Sequence, residues 1–428
     1  MRNYKVQISL REILYIVVAV VLYFEIYLME FISIFRYVDE GVAVLCLVKI
    51  LSMAFRRGLD RNQTYMLLLM LLILGIGLVS NYFTDLQRNV KAVVTDIGNT
   101  FKVFITYIGA TLYLRPVKDK SRIIKSLAFV MRMFVLVLFG CMILHFTGIV
   151  PMGKDVRLGI PSFQFINYGA GQLSFMFYGI FMVLAADMRY DRYHRQIKIL
   201  FMFLAAVVWV STLRMRAMMY MLAFFALYWL LIVKNYKIKL NWKTILLAVL
   251  VMLLFSLDQI ETYFGNDKAA RAVFLERGLY TMKRYFPFGA GFSCYGTDAA
   301  VKYYAKLYIW YGFPLVWGLS PSKPIFAHDT YWPAIMAQFG FFGLIAMILV
   351  VVRWVRDILG RTKYDKYAYL AGLFIAATQV SSSIATATFF HFVTVGICFL
   401  LPILYNDSDP KKESQVTYET RNRLHAHL

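Results

Sequence analysis

The amino-acid sequence predicts an all-α protein that crosses a membrane many times. Of its 428 residues, 60% are hydrophobic and only 16% are charged, and the mean hydropathy of +0.61 lies outside the range of soluble domains. The apolar residues form long runs, each close to the roughly 20 residues that a helix needs to cross a bilayer. A chain of this length has room for about a dozen such helices.

Twelve apolar runs mark the predicted transmembrane helices. They cover residues 13–35, 37–55, 64–83, 92–114, 123–147, 166–186, 197–213, 216–233, 242–257, 331–352, 367–385 and 388–405. The second and fourth runs are the weakest, because each is also compatible with a re-entrant or interfacial helix, and the fourth carries Asp96 and Lys102. The first run lacks a small-residue cleavage pattern, so we expect it to remain as the first helix.

The distribution of Lys and Arg predicts the orientation of these helices. If the N-terminus is cytoplasmic, the cytoplasmic connections contain 29 of the 46 basic residues and the outward connections contain 15. The short cytoplasmic loops are richer in Lys and Arg than the short outward loops, which is the comparison that the positive-inside rule uses. The sequence therefore predicts that both termini are cytoplasmic (N-in/C-in).

The same distribution argues against a nucleic-acid partner. The net charge is +22, but the basic residues lie in short clusters between apolar runs and not along one exposed face. The four cysteines do not indicate a disulfide framework, since three lie inside apolar runs and only Cys294 is expected outside the membrane.

One outward connection, between predicted helices 9 and 10, is much longer than the others. The predicted organisation is transmembrane helices 1–9 in residues 1–257, an extracytoplasmic loop in 258–330, helices 10–12 in 331–405 and a cytoplasmic tail in 406–428. The loop is too long and too aromatic for a simple turn. It contains a predicted helix from Asp267 to Tyr285 that ends at a turn with Pro287, Gly289 and Gly291, and its stretch 301–317 suits the membrane interface.

Basic residues on the outward side are candidate ligands for an anionic substrate. They are Arg214 and Arg216 in a short hairpin, and Lys268, Arg271, Arg277, Lys283, Arg284, Lys302, Lys306 and Lys323 in the long loop. Guanidinium groups bind phosphate or diphosphate in bidentate geometry, although single side chains here also suit lipid headgroups. On a helix, Arg277 and Arg284 share a face that Arg271 does not, so we expect either Arg271 or that pair to matter more.

Two titratable residues open the tenth predicted helix, in the stretch FAHDTYWPAIMAQFG. His328 and Asp329 are candidate acid–base residues, and the alternative is that Asp329 caps the helix with Pro333 in its first turn. Other ionisable residues lie within predicted helices, where a charge is costly and often functional: Glu25, Asp96, Lys102, Arg132, His145 and His391. No cluster has metal-ligand spacing and no nucleotide-binding loop is present, so we predict no metal and no cofactor.

Several stretches of the sequence together resemble a known family. They are STLRMRAMMYM, AARAVFLERGLYTMKRYFPFGAGFSCYG, LYIWYGFPLVWGLS and HDTYWPAIMAQFGFFGLI, within residues 205–350. The order of features resembles that of the O-antigen ligase and polysaccharide polymerase superfamily of bacteria. It consists of a short Arg-bearing hairpin, an outward loop with an Arg, a P-x-G-x-G turn and a polar residue that opens the next helix.

The resemblance implies a glycosyltransferase on the outer face of a bacterial plasma membrane. Family members take a glycan from a polyprenyl diphosphate lipid and join it to another glycan, as O-antigen, capsular or exopolysaccharide polymerases, or to a lipid or surface acceptor, as ligases. Family arginines hold the diphosphate, a role that the resemblance gives to Arg214, Arg216 and Arg271. Where many relatives have His-Asn, or an Asp before an aromatic residue and a Pro, this chain has His328 and Asp329, which leaves open which of the two is functional.

The function predicted from the sequence is therefore the polymerisation of polyprenyl-diphosphate-linked repeat units without a metal. Cations stabilise the leaving diphosphate, and His328 or Asp329 activates the acceptor hydroxyl. Expected partners are the lipid-linked donor and acceptor glycans and membrane lipids, with a flippase and a chain-length regulator as further candidates. A ligase is the alternative within the same chemistry, and a lipid-linked oligosaccharide flippase or transporter is the alternative from another class, although the two halves of the chain look unrelated.

Overall fold

The described part of the chain is predominantly helical, with almost no sheet. The structure, a computed structural model, describes residues 9–153, 155–157, 159–166, 169–190, 194–236 and 269–405. Strands in these residues are confined to one antiparallel hairpin, Val156–Arg157 with Ile160–Pro161. The predicted all-α class is confirmed. The predicted ninth helix, 242–257, and the tail from residue 406 lie outside the described residues.

The α-helices of the described residues are numbered here in chain order. They are α1 (Leu10–Tyr23), α2 (Glu25–Phe31), α3 (Val38–Phe55), α4 (Arg61–Thr84), α5 (Val90–Leu114), α6 (Ser121–Phe146), α7 (Ala170–Asp187), α8 (Arg195–Ser211), α9 (Met215–Tyr228), α10 (Ala270–Arg284), α11 (Asp298–Lys302), α12 (Lys306–Trp310), α13 (Tyr331–Thr362), α14 (Lys366–Ala385) and α15 (Phe392–Leu400). A π-helical turn, Trp229–Val233, continues α9. Every apolar run predicted within the described residues coincides with one or two of these helices.

Several helices have the length and composition of membrane spans. Six of those described qualify, namely α4, α6, α7, α9 with its π-helical turn, α13 and α14, and the bent pair α1–α2 makes a seventh if it is one span. On α4, the side chains of Leu68, Leu71 and Leu72 are more than half exposed, as expected where a helix faces lipid instead of water. The chain is therefore a membrane-embedded helical protein.

Three of the predicted runs are not continuous helices, and the tenth, which is interrupted at Gly340, is described below. The first is broken at Phe24, whose φ of −100° and ψ of 12° leave helical geometry, so that α1 and α2 meet at 76°. The last begins with the 3₁₀ turn Thr388–Phe390, and its α-helix starts only after His391. The His391 side chain accepts the N–H of Val393, so it acts as the N-cap of α15 and fixes where that helix begins.

The two cations predicted inside the membrane, Lys102 and Arg132, are paired within the protein. The Lys102 ammonium group lies 2.6 Å from the Asp39 carboxylate, and both side chains are more than nine-tenths buried. Arg132 forms an ion pair with Asp187. Because an opposite charge offsets part of the cost of removing an ion from water, these pairs explain how α5 and α6 tolerate cations.

The longest helix, α13, is interrupted at Gly340, whose φ of 62° and ψ of −157° are not helical. In a continuous helix the carbonyls of Ala337 and Gln338 would accept N–H groups four residues later. Here they accept the N–H groups of Ala290 and Gly291 instead, each at 2.8 Å. The turn at residues 287–291, called the buried turn below, therefore supplies hydrogen bonds that the broken helix cannot make itself.

The buried turn is also held on its other sides. The Phe341 N–H donates to the Pro287 carbonyl at 3.0 Å, so the second part of α13 is bonded to the turn as well. At the end of α4, the Asn81 side chain accepts the Phe292 N–H at 2.7 Å and donates to the Phe292 carbonyl at 3.0 Å. The turn thus links α4 to both parts of α13.

The long connection is folded around a small aromatic core of its own. Phe274 of α10 stacks on Tyr295 with ring centroids 4.4 Å apart, and Tyr308 and Phe313 pack against them in full burial. The prediction that this segment is more than a simple turn is confirmed for its described part. The predicted helix from Asp267 to Tyr285 corresponds to α10.

We predict that Gly340→Ala destabilises the protein by about 2 kcal/mol or more. A Cβ at this position would lie 2.3 Å from the Pro287 carbonyl oxygen, and the backbone conformation is one that L-residues rarely adopt. The melting temperature of the detergent-solubilised protein measures the effect. Gly75→Ala in α4 is the matched control, because nothing lies within 4 Å of the added methyl group. Equal melting temperatures for the two variants would contradict the role assigned to the break.

Candidate functional site

An ion pair between α10 and the residues before α13 forms the centre of the candidate site. Arg271, in the first turn of α10, pairs with the Asp329 carboxylate. The Arg271 side chain is only 12% exposed, whereas that of Asp329 is 26% exposed. The same guanidinium group lies 5.3 Å from the centre of the Phe326 ring, so an aromatic face and a carboxylate hold it in place.

This pairing corrects one interpretation of the sequence. Asp329 does not cap α13, because the N-cap residue is Thr330 and no side chain accepts a hydrogen bond there. Pro333 does lie in the first turn, where its missing N–H is tolerated. The Asp329 side chain is turned instead towards Arg271, 58 residues earlier in the chain.

His328 lies beside this pair and faces a second carboxylate. Its Nε2 is 3.8 Å from Oδ1 of Asp298, the first residue of α11. The His328 side chain is 40% exposed and that of Asp298 is 66% exposed, so both are accessible to solvent. The structure thus places the predicted His328 and Asp329 on one accessible surface next to Arg271.

Arg216, on α9, is near enough for its charge to act on the same carboxylate. Burial raises the pKa of the Asp329 carboxyl above its ordinary value, and this effect outweighs Arg271, His328 and Arg216, whose charges favour the ionised form. A carboxylate with a raised pKa is a stronger base than an exposed aspartate. Arg216, Arg271, His328 and Asp329 are called the candidate site from here on.

A cluster of hydroxyl groups lies next to Arg216 and was not predicted from the sequence. Tyr220, one turn after Arg216 on α9, has its hydroxyl 2.8 Å from Ser381 and 3.2 Å from Ser382 of α14. The indole N–H of Trp332 donates to Ser383 at 3.1 Å. The run of three serines inside an apolar segment was the available signal for this polar patch at the end of α14.

The other predicted arginines have different partners. Arg214 is 3.1 Å from Asp155, beside the strand hairpin. Arg277 lies over Tyr311, and Arg284 lies over Tyr285 and Trp310, at 5.8–5.9 Å from the ring centres. Because Arg284 follows Arg271 by 13 residues, it is about 20 Å further along α10. Of the two arginine sets left open by helix geometry, Arg271 is the one that meets Asp329.

The predicted loop turn has a positioning role. Pro287, Gly289 and Gly291 belong to the buried turn, which is bonded to α13 around Gly340. Gly278 in the middle of α10 packs against the backbone of Pro333. Since α10 lies along the first part of α13 and ends at the buried turn, the turn fixes one end of α10 and Arg271 lies at the other.

The arrangement is suited to an anionic group and to proton transfer. One guanidinium group pairs with a carboxylate whose pKa is raised, the charge of a second acts on the same carboxylate, and an imidazole lies beside it. Guanidinium groups bind phosphate oxygens, and a carboxylate or imidazole accepts a proton from a hydroxyl group.

Comparison of the sequence with protein-family models and with curated proteins finds no match. The resemblance drawn from the motifs is therefore an expectation about this chain.

Proposed function

We propose that the protein is a membrane glycosyltransferase that polymerises polyprenyl-diphosphate-linked repeat units into a cell-surface polysaccharide. The observation that carries the proposal is the ion pair between Arg271 and Asp329, with His328 beside it and Arg216 near enough for its charge to act on the Asp329 carboxyl. These residues come from α9, α10 and the start of α13. A site of this composition suits a substrate that has both a diphosphate and a sugar hydroxyl.

The proposed reaction breaks the bond between the anomeric carbon of the donor sugar and the diphosphate. The bonding electrons leave with the diphosphate, whose added negative charge Arg216 and Arg271 stabilise. The acceptor hydroxyl oxygen forms the new bond to the anomeric carbon, and its proton passes to Asp329 or His328. Asp329 is the stronger candidate for the base, since burial raises the pKa of its carboxyl and so makes the carboxylate more basic.

The proposed topology is the one that the charge pattern favours. In it the chain has about twelve transmembrane helices, both termini are cytoplasmic, and the segment containing α10, α11 and α12 lies outside the plasma membrane of a bacterium. The lipid diphosphate would then meet the candidate site at the level of the outer headgroups. The donor and acceptor glycans, membrane lipids, a flippase and a chain-length regulator are the proposed partners.

A ligase that moves the glycan to a lipid or surface acceptor would use the same groups in the same steps. Acceptor choice depends on the shape of the surface around the site, and no described feature favours the ligase over the polymerase. A flippase would move the lipid across the bilayer without lengthening the glycan, so product size separates it from both enzymes.

The first test of the proposed function concerns the side of the membrane on which the candidate site lies. In a protein without native cysteines, Ser322→Cys should react with a membrane-impermeant maleimide in right-side-out vesicles, and Tyr364→Cys should react only after permeabilisation. Both positions are exposed, whereas the native Cys294 is 1% exposed and therefore unsuitable as a probe of membrane sidedness. The reverse labelling pattern would place the candidate site in the cytosol and overturn the proposal.

The second prediction separates the arginines. Arg216→Ala and Arg271→Ala should each lower chain extension of purified polyprenyl-diphosphate repeat units by a factor of about 100 or more, because each removes a cation from the leaving group. Arg214→Ala, whose side chain lies beside Asp155, should have a much smaller effect. Gel analysis of product length at equal protein levels measures this. Full activity in the first two variants would refute the site.

The third prediction is a pH dependence. The reaction needs an ionised Asp329, so its rate should fall on acidification with a midpoint above the ordinary aspartate pKa of about 3.9. Residual activity of Asp329→Asn should lose this acid limb, and His328→Gln should keep it. If His328→Gln removes the limb instead, His328 is the base and Asp329 positions Arg271.

A further inference from the structure

A buried polar cluster lies beside the buried turn and includes none of the candidate-site residues. Asp96 of α5, Ser293, Thr297 and Gln338 of α13 are each at most 1% exposed. The Ser293 N–H donates to Asp96 Oδ2 at 2.5 Å, and the Gln338 amide donates to the Tyr295 carbonyl at 2.6 Å. The side chains of Thr297 and Gln338 also approach the Asp96 carboxylate. Four polar side chains therefore converge where no solvent reaches.

Three oxygen atoms of this cluster lack a hydrogen-bond partner among the described residues. They are Oδ1 of Asp96, Oγ of Ser293 and Oε1 of Gln338. An ionised carboxylate and an amide oxygen are acceptors only, and a buried acceptor without a partner is costly. Asp96 Oδ1 and Gln338 Oε1 are therefore buried acceptors without a geometric hydrogen-bond partner among the described residues.

The charge of Asp96 is not balanced by a side chain. Within the residues that the structure describes, it forms no salt bridge, and its strongest charged neighbour is Asp298, another carboxylate. Lys102, six residues later on α5, is committed to Asp39 at 2.6 Å. A buried ionised carboxylate without a cation is strongly disfavoured, so Asp96 requires either a proton or a bound cation.

We propose that Asp96, Ser293 and Gln338 form a binding site for a sodium ion. Carboxylate, amide and hydroxyl oxygens are the ligands of hard cations, and one carboxylate balances one positive charge. A divalent ion is less well matched, since no group of three or more His, Cys, Asp or Glu side chains that suits a metal occurs in the described residues. Sodium sites in membrane proteins use oxygen atoms near helix interruptions, and Gln338 lies two residues before the break at Gly340.

The ion would join three parts of the structure at one point. Asp96 belongs to α5, Gln338 to the first part of α13, and Ser293 follows the buried turn. Its binding would hold residues 293–297 closed against both helices and so stabilise the buried turn. This inference does not depend on which reaction the candidate site performs.

Cys294 provides a native probe of this closure. Its side chain is buried next to Ser293, and burial raises the pKa of its thiol, so it should react with a maleimide only when the segment opens. In the full-length protein with Cys46, Cys141 and Cys398 replaced by Ala, sodium chloride is titrated against choline chloride at constant ionic strength. The modification rate should fall by the factor 1 + [Na⁺]/Kd, about tenfold when sodium is at nine times its Kd, and potassium should act more weakly.

Two substitutions in the cluster test whether a bound sodium ion slows the modification of Cys294. Asp96→Asn should abolish the sodium dependence, and Asp85→Asn, the same change at an exposed aspartate at the end of α4, should retain it. Ser293→Ala removes only a prospective ligand, because its hydroxyl has no partner among the described residues, and should raise the half-maximal sodium concentration about tenfold. The Ser293→Ala variant also tests the proposal if Asp96→Asn fails to fold. A rate independent of sodium in the parent protein would overturn the proposal and assign a proton or water to Asp96.

Discussion

The insertion of the buried turn into the break of α13 is the interaction on which the segment from α10 to α13 depends. A helix that is interrupted inside a membrane protein leaves backbone groups that neither lipid nor the helix itself can satisfy. The N–H groups of Ala290 and Gly291 and the carbonyl of Pro287 supply those missing partners. Because the turn cannot leave without exposing them, α10 has a fixed end and Arg271 has a fixed position.

Charge is organised in two different ways in the two polar clusters. In the candidate site, Arg271 pairs with Asp329, the charge of Arg216 acts on the same carboxylate, and His328 and Asp298 are accessible to solvent. Around Asp96 the polar atoms are closed off from solvent. An accessible cation-rich cluster suits a substrate, whereas an enclosed oxygen-rich cluster suits an ion that stays bound.

Much of the fold was predictable because its signals are local. Long apolar runs specify helices, and eleven of the twelve predicted runs lie in described residues and coincide with helices. The break at Phe24 and the late start of α15 were not predictable, because hydropathy measures composition and does not report backbone conformation. The site residues were identified by residue type, yet Asp298 and the serines of α14 escaped notice, since neither stands out without its spatial neighbours.

By itself the sequence determined that this is a helical membrane protein with a folded aromatic segment before α13, and it supplied Arg216, Arg271, His328 and Asp329 as candidates. Only the tertiary structure decided that Asp329 pairs with Arg271 rather than capping its own helix, and that Arg277 and Arg284 lie elsewhere. The physical reason is that helix periodicity relates residues within one element. The partner of a charged side chain is set by contacts between elements far apart in the chain, here 58 residues.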